Sequence, residues 1–286
     1  MLRSHCILFG LLFIHSDISQ GYKMQINLAT ITWAHAVNDK AYLNSSLNSG
    51  IDMLEADIVI GRTADNKENN IPIMGHPPNN VSDLSLSQFV SIVDEFNKRN
   101  AAKKGIKLDF KCIEAFESAI RNEEFSAILS KANYPVWLNA DILEGPLAHP
   151  QSNPVDATLF IKGGKLFPRS VLSLGWTTGF DATKKVGYTE SNVREMLRVL
   201  ETNEVRQPVT FAVRAGLVAE SKNEMNKLLS NNTHTLTVWS AINDEGFDVD
   251  KLNDVLDGIG IRRIYVDVPD ELKSQLNLLN STQIDA

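Results

Sequence analysis

His35, Asn38, Glu55, Asp57, His76, Asp109 and Lys111 are the residues of this chain whose types and spacing point to chemistry. All fall in its first half, and most sit at the downstream ends of segments with strand-like sequence. Glu55 and Asp57 are separated by one residue, as are Asp109 and Lys111, so on extended backbone each pair projects from one face of its strand. Two imidazoles, three carboxylates and an ammonium gathered in one place can hold a divalent cation and move protons around a phosphate. An oxygen-rich donor set suits Mg²⁺ or Ca²⁺ better than zinc, which recruits histidine or cysteine. The same charges could instead form a structural ion-pair network inside the fold, and the sequence leaves both readings open.

The elements that must position these residues alternate along the chain. Apolar runs of strand length occupy 26–34, 53–60 with a short extension at 72–75, 105–110, 136–140, 171–175, 208–213, 236–239 and 263–268. Helical periodicity fills 41–47, 85–98, a stretch after the third strand to about 129, 191–200, 218–229 and 249–256. Eight strands with intervening helices predict a (β/α)8 TIM barrel, in which side chains at the carboxyl ends of the strands converge on one mouth. A doubly wound open sheet would carry a glycine-rich phosphate loop after its first strand. Here that strand runs into Trp33-Ala34-His35-Ala36-Val37-Asn38, with no glycine. Residues 142–164, rich in Pro, Gly and Asn, read as a loop over the barrel mouth rather than a domain boundary.

The chain has 286 residues, 43% of them hydrophobic, which suits one large domain with a substantial core. A net charge of -7 argues against non-specific binding to nucleic acid or anionic lipid. Arg3 precedes an apolar run from Ile7 to Ile14, and Ser19-Gln20-Gly21 suits signal-peptidase cleavage. The expected organisation is a secretory signal at 1–21, a single barrel domain at 22–272 and a polar tail at 273–286, with an uncleaved anchor as the alternative for the first segment. No other segment approaches the roughly twenty apolar residues needed to span a bilayer, so the mature chain is expected to be secreted and free of a transmembrane segment. Sequons at Asn44, Asn80, Asn231 and Asn280 fit export to the extracellular space as a glycoprotein. Asn44 falls on an expected helix and could be buried against a neighbour. Cleavage would remove Cys6 and leave Cys112 alone, expected as a buried thiol at a strand-to-helix junction. The fold must then be held by its core rather than by an intrachain disulfide.

The series Trp33-Ala34-His35-Ala36-Val37-Asn38, Glu55-Ala56-Asp57, His76 and Asp109-Phe110-Lys111 resembles the active-site series of the glycerophosphodiester phosphodiesterase and sphingomyelinase D superfamily, a PLC-like phosphodiesterase type of TIM barrel. The chain resembles the menorin family more closely. The segments that carry this likeness are Lys107-Leu108-Asp109-Phe110-Lys111, Pro72-Ile73-Met74-Gly75-His76-Pro77-Pro78, Trp137-Leu138-Asn139-Ala140-Asp141-Ile142-Leu143, Ser173-Leu174-Gly175-Trp176-Thr177-Thr178-Gly179 and Pro208-Val209-Thr210-Phe211-Ala212-Val213-Arg214. The likeness spans roughly residues 28–268. It implies that Glu55, Asp57 and Asp109 hold a divalent cation, that His35 and His76 are an acid–base pair, and that Lys111 contacts the phosphate. It also implies a second role, as an extracellular cue in neuronal patterning and dendrite branching that binds cell-surface receptors or adhesion proteins.

The chain departs from the superfamily pattern at two places. Many glycerophosphodiesterases carry arginine directly after the first histidine, where this chain has Ala36; Arg214 is the candidate to supply the lost contact. The aspartate that follows a strand-seven tryptophan in sphingomyelinase D has no match soon after Trp239, the first acid being Asp244. Asn38, Asn139, Asp141, Arg214 and Trp239 are the further candidates for lining a substrate site. Trp239 could wall a pocket for an apolar or quaternary-ammonium group or simply pack the barrel, and Arg214 could bind an anion or pair with a carboxylate. His149 and His234 read as surface residues. Two functions follow: a metal-dependent phosphoric diester hydrolase or lyase acting on a phosphodiester or phospholipid small molecule, or a non-catalytic ligand on the same barrel.

Overall fold

Strands buried on both faces must be short and nearly continuously apolar, and this chain supplies them between helices with one apolar stripe. The computed structural model describes residues 27–65, 70–147 and 153–278. In chain order the first elements are β1 (Trp33–Ala34), α1 (Lys40–Leu47), β2 (Met53–Thr63), β3 (Ile71–Met74), β4 (Val81–Ser82), α2 (Leu86–Arg99), β5 (Gly105–Phe110), α3 (Ile113–Arg121) and α4 (Glu123–Lys131). They continue as β6 (Val136–Glu144), α5 (Ala157–Gly164), β7 (Val171–Thr177), α6 (Glu190–Thr202), β8 (Val209–Arg214), α7 (Ala215–Val218), α8 (Lys222–Leu228), β9 (Thr235–Trp239), α9 (Val249–Ile259), β10 (Ile264–Asp267) and α10 (Asp270–Lys273). The strand order β1-β2-β5-β6-β7-β8-β9-β10, with helices between successive strands, is that of a (β/α)8 TIM barrel. β3 pairs antiparallel with β2, and β4 adds a short parallel bridge to it.

The chain divides into two compact units. The first comprises Trp33–Leu138 with Phe167–Ser170; the second comprises Asn27–Thr32, Asn139–Leu166 and the chain from Val171 onward. The spine of the first unit is the parallel pair β2–β5, in register from Met53 opposite Gly105 to Ile58 opposite Phe110. Leu54, Ala56, Ile58, Ile106, Leu108 and Phe110 are buried along it. Each large side chain so buried contributes about 1.5–3 kcal/mol, so a core of this kind can hold the fold without a disulfide. α2 begins with a reciprocal capping box between Ser85 and Gln88 and buries Leu86, Phe89, Val90 and Val93. In the second unit, β8 is in parallel register with β7 and β9, and every residue of β7 is buried.

Several boundaries differ from the sequence expectation. The first strand shrinks to Trp33–Ala34 because Asn27 caps a 3-10 turn over Leu28–Thr30 and takes those residues out of extended backbone. The helix expected after β5 is broken at Asn122, whose side chain accepts from the Phe125 amide and starts α4. The helix expected at 218–229 is likewise two, interrupted at Ser221, whose hydroxyl donates to the Leu217 carbonyl and accepts from the Tyr188 amide. The stretch expected to be an irregular loop contains the end of β6 and the whole of α5, which Asp156 caps by accepting from the Leu159 amide. Past Lys273 the described tail packs: Leu276 and Leu278 are buried, and Asn253 exchanges hydrogen bonds with Gln275 and Asn277.

Asn44, Asn80 and Asn231 are exposed, including Asn44 on α1, for which burial had been considered. Cys112 is half-buried at the β5–α3 junction. The signal segment, Cys6, His149 and the Asn280 sequon lie outside the described residues. Among the described residues, no helix is long and apolar enough to cross a membrane.

Gly61 is the point of closest approach between β2 and the loop that follows β3. A Cβ there would overlap the Asn80 carbonyl oxygen and the end of Ile73. Gly61→Ala should therefore cost about 1–3 kcal/mol by overpacking. Urea unfolding of the variant checks this, and an unchanged midpoint would contradict it.

Candidate functional site

Parallel register places Asp57 directly beside Asp109 on the neighbouring strand, and Glu55 beside Lys107. Because side chains alternate, Glu55 and Asp57 share one face of β2, and Lys107, Asp109 and Lys111 share one face of β5 and its end. Backbone hydrogen bonds then bring the flanking loops in. The Val37 amide donates to the Glu55 carbonyl at 2.8 Å, the Gly75 amide to the Asp57 carbonyl at 2.9 Å, and the Lys111 amide to the Ile58 carbonyl at 3.0 Å. These three bonds fix the segments that carry His35, His76 and Lys111. Ala36 adopts a left-handed backbone with φ 55, and this turn aims its amide at Glu55 Oε2, 2.7 Å away. The Ala36 position thus gives the site a backbone donor where an arginine side chain had been the superfamily expectation.

Asn38 holds Asp57 at both ends. Its Nδ2 donates to Asp57 Oδ2 at 2.8 Å, and its Oδ1 accepts from the Asp57 amide at 2.9 Å. One oxygen from each of Glu55, Asp57 and Asp109 lies within 4.8 Å of the others, a separation at which a single cation can touch all three. Lys111 Nζ sits 2.8 Å from Asp57 Oδ1 and 2.6 Å from Asp109 Oδ2. His35 Nδ1 is 3.4 Å from Glu55 Oε2, on a ring that is 56% exposed. His76 is exposed, with Nδ1 2.8 Å from the Pro77 carbonyl oxygen. A carbonyl only accepts, so Nδ1 carries the proton and Nε2 of the neutral ring is left to act as a base.

The carboxylates are not electrically equivalent. Burial raises the pKa of Glu55 to about 7, with the neighbouring charge of Asp57 adding to the effect and His35 and Lys107 opposing it. Burial also pushes Asp57 upward, but the Lys111 ammonium and the hydrogen bonds from Lys111 and Asn38 outweigh it and bring the group down to about 2. His76 acts in the same downward direction on Asp57. Beside Glu55, the buried Lys107 places Nζ 5.8 Å from the centroid of the Trp33 ring, which meets Trp137 edge-on at 5.3 Å.

Of the residues proposed from sequence, the first unit brings together His35, Asn38, Glu55, Asp57, His76, Asp109 and Lys111. Asn139, Asp141, Arg214 and Trp239 belong to the second unit. Asn139 is buried and accepts from the Ser173 hydroxyl at 2.6 Å. Asp141 occupies the space a side chain at Gly175 would fill. Arg214 pairs with a carboxylate: Nε and Nη2 reach the two oxygens of Asp244 at 2.7 and 2.6 Å, while Nη1 donates to the Thr178 carbonyl. Its guanidinium also lies 5.0 Å from the Trp239 ring centroid and 5.6 Å from that of Phe180. His234 is half-buried, edge-on to Phe211, rather than a surface residue. Sequence reasoning passed over Lys107, whose two-residue step before Asp109 was the available signal, and it did not match Asp244, the first acid after Trp239, to Arg214, because a pairing across 30 residues leaves no local signal.

Fold and site together define a TIM-barrel protein with a largely buried carboxylate cluster that could hold a metal ion. The profile of the Menorin N-terminal domain matches residues 27–273. Protein FAM151B of Homo sapiens is 38% identical over 243 residues, covering 84% of this chain and 83% of that one. The chain therefore belongs to the menorin family. Among solved structures, a glycerophosphoryl diester phosphodiesterase from Parabacteroides distasonis aligns over 88% of each chain with 10% identity and a TM-score of 0.45. The GH53 catalytic domain of Ignisphaera aggregans covers 83% of this chain and 80% of its own, with 9% identity and a TM-score of 0.42.

A buried acid with a raised pKa makes the native state bind its proton more tightly than the unfolded chain does. Stability in chelator should thus fall as pH rises from about 4.5 towards about 7, the ordinary and folded values for Glu55. Glu55→Gln keeps an acceptor for the Ala36 amide and removes the titration. The variant's melting temperature should overtake that of the wild type progressively between pH 5 and pH 8, by roughly a few degrees; parallel curves across that range would refute the assignment.

Proposed function

We propose that this chain is a secreted, metal-dependent phosphodiesterase-like member of the menorin family, a phosphoric diester hydrolase or lyase acting on glycerophosphodiesters or phospholipid head groups. The observation that carries this reading is the approach of Glu55, Asp57 and Asp109 within 4.8 Å, flanked by Lys111 and two histidines. Glu55, Asp57 and Asp109 would hold Mg²⁺ or Ca²⁺, which supplies charge neutralisation and orientation of the phosphoryl oxygens. His76, with its proton on Nδ1, takes a proton at Nε2 from the attacking hydroxyl or water. His35, oriented by its contact with Glu55, protonates the departing alkoxide. Lys111 meets negative charge on the phosphate. Asn38 fixes the Asp57 carboxylate so that it faces the cation in one orientation.

A second reading, an extracellular ligand for a receptor or adhesion protein in neuronal patterning, draws on one observation. Lys111 already bridges Asp57 and Asp109, so the cluster can persist as a structural salt link. The exposed sequons at Asn44, Asn80 and Asn231 suit a secreted glycoprotein under either reading.

Purified protein supplied with Mg²⁺ or Ca²⁺ should cleave at least one of glycerophosphocholine, lysophosphatidylcholine and sphingomyelin. Chelator, His35→Ala and His76→Ala should each reduce turnover by about a hundredfold or more. Receptor binding that survives both substitutions, with no turnover of any of the three lipids, would replace the enzyme by the ligand. Glu55→Ala should abolish divalent-cation binding measured by titration calorimetry, and unchanged affinity would remove Glu55 from the cation's ligand set.

A further inference from the structure

Lys111 stands where two of the three candidate metal ligands meet. Its ammonium lies 2.8 Å from Asp57 Oδ1 and 2.6 Å from Asp109 Oδ2. Mg²⁺ binds carboxylate oxygens at about 2.0–2.1 Å and Ca²⁺ at about 2.3–2.6 Å. An ion seated on the same two carboxylates would be pressed against the ammonium, two positive charges competing for one set of lone pairs. The cluster offers three negative charges, and the nearest cation already present is carried by the chain itself.

We infer that Lys111 is a tethered competitor for the divalent cation: the ion displaces its ammonium from Asp57 and Asp109, and the displaced ammonium becomes a binding group for the substrate phosphate. The inference rests on the phosphodiesterase reading and adds to it a coupling between cation and phosphate. Three features of the residue allow the exchange. Its side chain is 24% exposed, so the ammonium has solvent to move into. Lysine is a point charge on a flexible stem, without the fixed fork that would lock an arginine onto a carboxylate pair. Its backbone is pinned through the Ile58 carbonyl, so the swing is confined to the side chain and the ammonium stays near the site. Asp57 remains held by Asn38 throughout, so one ligand keeps its place while the lysine leaves.

Two consequences are measurable without turnover. Removing the competitor should tighten cation binding. Linkage also requires that the cation strengthen phosphate binding by the factor with which phosphate strengthens cation binding. The test is titration calorimetry of the purified protein at pH 8 with Mg²⁺ alone, and then with dimethyl phosphate as a slowly hydrolysed diester. Wild type should bind dimethyl phosphate only when Mg²⁺ is present, and the diester should tighten Mg²⁺ binding. Lys111→Met should bind Mg²⁺ roughly tenfold more tightly or better, the size of a charge-assisted contact relieved, while the Mg²⁺-loaded variant should bind the diester more weakly than Mg²⁺-loaded wild type does. Its melting temperature should also rise further on Mg²⁺ addition than that of wild type.

If Lys111→Met destabilises the protein too far, Lys111→Gln serves the same purpose. Equal or weaker Mg²⁺ affinity in a folded variant, or diester binding to the Mg²⁺-loaded variant as tight as to wild type, would overturn the inference while leaving the metal-dependent reading intact. No Mg²⁺ or Ca²⁺ binding by wild type or either variant would overturn both.

Discussion

Three carboxylates brought within 4.8 Å in a buried setting repel one another, and the local structure is organised around offsetting that repulsion. Each ionised pair at that separation costs on the order of 3 kcal/mol at an effective dielectric of about 20. The chain answers in two ways. Lys111 bridges Asp57 and Asp109, and burial raises the pKa of Glu55 to about 7. Backbone and amide donors do the rest, Ala36 on Glu55 and Asn38 on Asp57. The register of β2 against β5 makes the arrangement unavoidable, since it sets Asp57 and Asp109 side by side on the inward face.

The same register explains why so much of this could be read from the chain. The two-residue steps Glu55–Asp57 and Asp109–Lys111 carry their own geometry, because extended backbone returns every second side chain to the same face. β5 was legible to the residue for a related reason: between Gly105 and Lys111, the apolar Ile106, Leu108 and Phe110 alternate with Lys107 and Asp109. The start of α2 was legible at Ser85 ahead of an apolar stripe, to which the structure adds the capping box with Gln88. What sequence periodicity could not supply was competition from side chains that cap. Asn27, Asn122 and Ser221 each redirect backbone amides or carbonyls and cut an expected element short. Asp156 did the reverse, opening α5 inside a stretch whose Pro and Gly content suggested a loop. The Arg214–Asp244 pair joins the end of β8 to the loop after β9, a distance along the chain that no local pattern spans.

Arg214 shows how a departure from a superfamily pattern is resolved in structure. The sequence offers it either to an anion or to a carboxylate. The structure gives it a bidentate carboxylate, a carbonyl and two aromatic rings. A guanidinium so engaged pins the loop bearing Asp244 against the end of β8, and Ser240 and Ala241 donate to the same carboxylate.

A buried glutamate whose proton is held until about pH 7 is a burden to a folded protein at neutral pH. Glutamine fits the same backbone donor without that penalty, and a single nucleotide change separates the two codons. A lineage that had no use for the negative charge would be expected to drift towards the amide under selection for thermal robustness alone. Position 55 is thus where a change from acid to amide would mark a relative that has given up the charge.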